Sequence, residues 1–198
     1  FLLEPDIYYL NHGSFGACPK EIFEVYQNFQ IELEKQPVEF LIRKSTQRLN
    51  EVRKIVSSFL NAQDNNIAFI SNTTFGVNAV AFSLDLKEGD EVLSTNMEYG
   101  ACDRVWNFYS KQKRFTYKKL QISLPITYEN EIFVLFIKNI TSRTKGIFLS
   151  HIVSSTALML PVEKICEYAR SRGIITVIDG AHCPGQKEMN LEKIGADI

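Results

Sequence analysis

The chain has 198 residues, room for one domain with a sizeable core or for part of a larger one. With 45% hydrophobic and 23% charged residues and a formal net charge of -1, it lacks the basic field that nucleic acid or an anionic membrane surface would require. No apolar run approaches the roughly 18–20 residues that cross a bilayer, so neither nucleic acid nor membrane is expected as a partner. Cys18, Cys102, Cys166 and Cys183 are far apart, without CxxC spacing, which argues against a metal site and predicts a reducing, cytoplasmic setting.

In chain order, the first feature is the loop Tyr9-Leu10-Asn11-His12-Gly13-Ser14-Phe15-Gly16, whose glycines allow close backbone approach or positive φ. Helical patterns follow over Pro19–Lys35 and Val38–Leu60. In the second, Phe40, Leu41, Leu49, Val52, Ile55, Val56, Phe59 and Leu60 form an apolar stripe, opposite Arg43, Lys44, Gln47, Arg48, Glu51 and Lys54. With no strand between them, residues 1–60 are expected to form a separate N-terminal loop and helical layer.

Beyond it, strand-like runs at Ile67–Ser71, Glu91–Thr95, Phe115–Ile122, Gly146–Ser150 and Ile174–Ile178 alternate with helical patterns at Thr74–Leu84, Ala101–Gln112, Glu131–Ile140 and Pro161–Arg172. Pro161 and Gly173 bracket the last helix in the usual asymmetry. This alternation predicts an α/β fold over 61–198, a three-layer αβα arrangement with a mostly parallel sheet and right-handed crossovers. The more polar run Phe115–Ile122 belongs near an edge.

In such sheets ligands gather beyond the carboxyl ends of the strands. Asp179 follows the β-branched run Ile174–Ile178 and precedes Gly180-Ala181-His182, so its carboxylate can face a cationic ligand or simply cap the next turn. Ser71–Asn78 opens a helix, with Thr73 or Thr74 as cap; the free N–H groups there suit a phosphate or merely start a helix. Tyr99 can lie on a planar ring or pack against Phe75 or Trp106. The hydroxyls of Ser154, Ser155 and Thr156, after His151, can serve a ligand or their own loop. A phosphate cradle, a flat aromatic, hydroxyl donors and a carboxylate for a ring nitrogen together meet the demands of pyridoxal 5'-phosphate.

The motifs Tyr9–Pro19, Asn72-Thr73-Thr74, Glu98-Tyr99-Gly100-Ala101, His151–Pro161 and Asp179-Gly180-Ala181-His182 span the chain in order. On them, the sequence resembles the class V aminotransferase group of fold-type I pyridoxal-phosphate enzymes, and within it the isopenicillin N epimerase-like proteins. The resemblance implies the large domain of the aspartate aminotransferase-like fold, truncated here. It implies phosphate binding by Thr73 and Thr74, stacking by Tyr99, a ring-nitrogen partner in Asp179, and a phenolic-oxygen partner in His182. Ser154 falls where many relatives carry an Asn near the cofactor. Asn11, His12 and Gly13 match the loop near the substrate carboxylate.

The family's Schiff-base lysine is expected after the strand that Gly195-Ala196-Asp197 would introduce, beyond Ile198, so the piece is read as the N-terminal half of a longer chain and as inactive alone. Lys187 lacks the expected His-Lys setting and reads as a solvated turn residue. The activity implied is that of an epimerase, aminotransferase or lyase acting on an amino acid through an aldimine and a carbanion, in a homodimer. The alternatives are a non-catalytic binding or scaffold protein of the same fold and a cysteine desulfurase-like enzyme. Tyr99 argues mildly against the latter, whose members usually carry His there. None of the four cysteines matches a nucleophile position.

Overall fold

A computed structural model describes residues 1–13, 15–128 and 130–198; Ser14 of the glycine-punctuated loop lies outside the described residues. The chain divides into two compact units, Phe1–Val56 and Ser57–Ile198.

In the first unit, helix α1 spans Lys20–Lys35 and follows Pro19, whose missing N–H costs nothing at a helix start. The expected single helix from Val38 is instead a π-helical turn, Glu39–Lys44, leading into α2, Ser45–Leu60. The wider turn has a local cause: both the N–H and the hydroxyl of Ser45 donate to the Phe40 carbonyl, five residues back, the hydroxyl at 2.7 Å. Arg48 grips both Glu32 oxygens at 3.0 Å, Lys44 adds a contact at 3.0 Å, and the Arg48 guanidinium lies over Phe29 and Phe40. Arg48 first and Lys44 second hold the Glu32 carboxyl below the usual carboxylate range. Leu49, Val52 and Ile55 of the predicted apolar stripe are exposed.

The second unit is built on four parallel strands, β1 (Glu91–Thr95), β2 (Thr116–Leu120), β3 (Thr144–Ser150) and β4 (Ile175–Asp179), in the order β2-β1-β3-β4. Helices α3 (Thr73–Ser83), α4 (Gly100–Lys113), α5 (Glu131–Asn139) and α6 (Val162–Ser171), with a short α7 (Leu191–Ile194), complete it. Strand alternation sends neighbouring residues to opposite faces. Val92, Phe148 and Val177 pack with Val77 and Ala81 of α3 and Trp106 of α4; Leu93, Ile147 and Leu149 pack with Phe136 of α5 and Ile165 of α6. The result is the three-layer αβα arrangement, with the polar run at β2 on an edge as expected.

The expected strand Ile67–Ser71 is not part of this sheet; it runs as irregular chain with Phe69 and Ile70 exposed. Ile70 instead packs onto α3, where a Cβ on Gly76 would come within 2.5 Å of Ile70 Cδ1, so a larger residue at 76 requires the Ile70 side chain to move. Lys113 at the end of α4 donates to the carbonyls of Ala81, Phe82 and Leu84 at 3.1, 2.6 and 2.6 Å, capping the carboxyl end of α3 with a cation. Beside β4, Ile178 N–H donates to the Ile198 carbonyl and Ile198 N–H to that of Thr176, at 2.9 and 3.1 Å, the pattern of a parallel neighbour.

Trp106 is fully buried among Phe115, Tyr117 and Phe148. Trp106→Ala is expected to destabilise the protein by about 3–5 kcal/mol, read from the urea midpoint. A loss below about 1 kcal/mol would show that the face shared by α3 and α4 is not a packed core.

Candidate active site

The strand order changes direction between β1 and β3, because β2 extends the sheet on one side and β4 on the other. A crevice is expected at the carboxyl end of that switch point. The ladder itself opens there. β1 pairs with β2 up to Thr95↔Leu120, and β3 with β4 up to Ser150↔Asp179, but β1 and β3 are in register only to Leu93↔Ile147. Thr95, Ser150 and Asp179, all buried, stand at the three strand exits.

Glu98 spans the gap. Its Oε1 accepts from the Thr95 hydroxyl at 2.6 Å, and its Oε2 accepts from the Ser150 N–H and hydroxyl at 2.8 and 2.7 Å. Burial pushes its carboxyl above the usual range; the hydrogen bonds oppose that shift and the nearby Asp179 adds to it. No candidate role was assigned to Glu98 from the sequence. The available signal was a threonine at a strand exit with a glutamate three residues later.

Asp179 uses one oxygen to cap the next turn: Oδ1 accepts from Ala181 N–H at 3.0 Å, closing the turn after β4. Its Oδ2 meets only the Cys102 thiol among the described residues, at 3.7 Å, a weak donor. Burial, then Asp179, pushes that thiol up to about 12, so Cys102 stays protonated and is no nucleophile. Thr74 lies against the same thiol and acts in the opposite sense. Thus α3, α4 and β4 meet at Thr74, Cys102 and Asp179.

Helix α3 is not capped by Thr73 or Thr74, as the sequence suggested. Asn72 takes that place, its Oδ1 accepting from Phe75 N–H at 2.9 Å, because the short amide side chain caps better than threonine. Thr73 and Thr74 therefore occupy the first turn, half-buried, their N–H groups without intrahelical acceptors and no acidic residue within that turn. The packing of α3 on α4, not a strand exit, brings this end to the site.

Tyr99 opens α4, half-exposed, while Trp106 is engaged elsewhere. Ser154 sits in an exposed turn held by Ala157 N–H to the Val153 carbonyl at 2.8 Å. His182 is half-buried in the turn after Asp179. Asn11, His12 and Gly13 belong to the first unit and are exposed, the His12 ring lying against Phe1 and Tyr9.

Lys187 is not a solvated turn residue. It is half-buried, its Nζ 3.4 Å from both His151 Nε2 and Met159 Sδ, because the chain after β4 folds back over the β3 exit. A cavity of about 790 Å³ runs along the flank of β4, lined in part by His151, Ile178, Gly180, Met189 and Ile194. Thr74, Tyr99 and Asp179 do not line it, so this cavity and the polar constellation are separate.

Fold and constellation define an α/β protein with the uncapped amides of a helix start and a buried acidic residue at one edge of its sheet. The pattern of the family Aminotransferase class-V matches residues 7–198, and the chain belongs to that family. It is 33% identical over 197 residues to the isopenicillin N epimerase of Streptomyces clavuligerus, covering 100% of this chain and 50% of that protein. It is 28% identical over 203 residues to an L-cysteine desulfhydrase-like protein of Epichloe uncinata, covering 100% of this chain and 44% of that one. The chain thus spans about half the length of these curated relatives. Among solved structures, the cystine C–S lyase C-DES in complex with cysteine persulfide superposes with a TM-score of 0.87, covering 96% of this chain and 51% of that one at 22% identity, and so shares the fold.

His151 is buried, and burial first, Lys187 second, push its imidazole below the ordinary value, with Glu163 opposing. The folded state therefore takes up this proton less readily than the unfolded chain. Stability is unaffected well above the unfolded value of about 6.5 and is lost as pH falls from there toward the lowered folded value. The drop in thermal midpoint between pH 7.5 and 5.5 is expected to shrink in His151→Gln; equal drops in the two proteins would refute the assignment.

Proposed function

We propose that this chain forms the cofactor-binding part of an enzyme that uses pyridoxal 5'-phosphate to act on an amino acid. The observation that carries the reading is Asp179: a buried carboxylate on a rigid strand end, one oxygen fixed by Ala181 and the other facing, among the described residues, only a weak thiol donor. That arrangement fits a cationic ring nitrogen. The amides of Thr73 and Thr74 at the start of an eleven-residue helix fit the phosphate.

When bound, pyridoxal phosphate supplies a protonated pyridine ring that draws electrons from the substrate's α-carbon. In this reading Asp179 keeps the nitrogen protonated, and Thr73 and Thr74 hold the phosphate with amides and hydroxyls. Tyr99 covers one face of the ring and excludes water. His182 serves the phenolic oxygen, Ser154 lies near the cofactor, and Asn11, His12 and Gly13 receive the substrate carboxylate. The whole protein is then an epimerase, aminotransferase or lyase, cytoplasmic and homodimeric. Its similarity to isopenicillin N epimerases supports the first of these. Likeness to cysteine desulfhydrase-like and desulfurase proteins supports C–S bond cleavage as the second reading. No helix among the described residues is long and apolar enough to cross a membrane.

The test uses the full-length protein. A carboxylate–cation hydrogen bond contributes about 1.5–3 kcal/mol, so Asp179→Asn is expected to weaken pyridoxal phosphate binding about 10- to 100-fold and to lower turnover further. Binding is read from the visible absorbance of the retained cofactor. Unchanged affinity and colour in Asp179→Asn would sink the reading, as would a wild-type protein that retains none.

A further inference from the structure

Glu98 has a use that the strand geometry makes specific. Past Leu93↔Ile147 the β1–β3 ladder supplies no registered pair, yet the residues that matter stand beyond that point. Glu98 replaces the missing backbone bonds with three of its own, one to Thr95 on β1 and two to Ser150 on β3. Ser150 is the register partner of Asp179, and His151 N–H, the next amide along, donates to the Asp179 carbonyl at 2.9 Å. A shift at Glu98 is thereby passed to Asp179 through a single residue.

The charge environment points the same way. The titratable groups that interact with Glu98 are Asp179 from β4, Cys102 from α4 and Tyr117 from β2. The thiol and the phenol are both raised by burial, in part also by Glu98, and carry no charge at neutral pH. No Lys, Arg or His forms an ion pair with Glu98 among the described residues; its donors are hydroxyls and an amide.

We propose that Glu98 is a positioning residue of the cofactor site: its carboxylate clasps the diverging ends of β1 and β3 and adds a second negative charge behind Asp179, holding a cationic ring nitrogen in place and in its protonated form. This rests on the pyridoxal phosphate reading and adds a residue to it. Glu98 donates or accepts no proton in the reaction; it acts through Asp179.

The experiment is a comparison of full-length wild type with Glu98→Gln, which keeps the shape and removes the charge. Two readouts are taken: the dissociation constant for pyridoxal phosphate, and the pH midpoint at which the ring nitrogen of ¹⁵N-labelled bound cofactor loses its proton. Glu98→Gln is expected to bind about tenfold more weakly and to release that proton at lower pH, with the thermal midpoint of the apoprotein little changed. A merely structural role would move the melting curve and leave the nitrogen's titration alone; that result overturns the proposal. If Glu98→Gln does not fold, Thr95→Val serves, since removing one hydroxyl donor weakens the clasp and lowers the nitrogen's midpoint by a smaller amount. An unshifted midpoint there overturns the proposal equally. A wild-type protein that binds no pyridoxal phosphate removes the parent reading and this inference together, which is distinct from a wild type that binds and a variant that behaves identically.

Discussion

A parallel sheet covered by helices on both faces leaves polar side chains few places to go except the carboxyl ends of its strands. That constraint organises this protein. Val92, Phe148 and Val177 on one face and Leu93, Ile147 and Leu149 on the other are committed to two apolar cores. Thr95, Ser150 and Asp179 are the polar residues that follow at the strand exits. Because β1 and β3 separate just before those exits, the edge opens into a mouth rather than closing as a ladder, and side-chain hydrogen bonds hold its two sides.

The elements around this mouth are positioned by ordinary packing and capping. Gly76 lets Ile70 press onto α3, Lys113 ties the far end of α3 to α4, and Asn72 closes its near end. Asn72 taking the cap is what leaves two threonines and their amides for another use. The buried thiol of Cys102 then joins α4 to β4 at Asp179. Each contact contributes only modestly, but together they fix the start of α3 and an acidic strand end on one body.

Much of this was legible in the residues. The strand runs at Glu91–Thr95 and Gly146–Ser150, the carboxylate after Ile178, and the Pro161–Gly173 bracket around α6 are set by composition and local stereochemistry. Other features were not. Ile67–Ser71 has a strand's composition but lies outside the four-stranded sheet. The π-helical turn turns on a hydroxyl bond from Ser45 that competes with the backbone. Lys187, polar and flanked by turn formers, is half-buried because the chain folds back onto His151. Glu98 looked like part of a motif, and its bond to Ser150, 52 residues away, has no local signature.

Alone, the sequence determined the α/β class, the near absence of net charge, and the carboxylate that ends β4. These follow from periodicity and chain stereochemistry, which act over a few residues. Only the tertiary structure decided which groups meet: that Thr74 and Asp179 share the Cys102 thiol, that Asn72 and not a threonine caps α3, and that Glu98 closes the gap between β1 and β3. Those outcomes depend on burial and on ladder register between segments distant in the chain, and no local pattern encodes either.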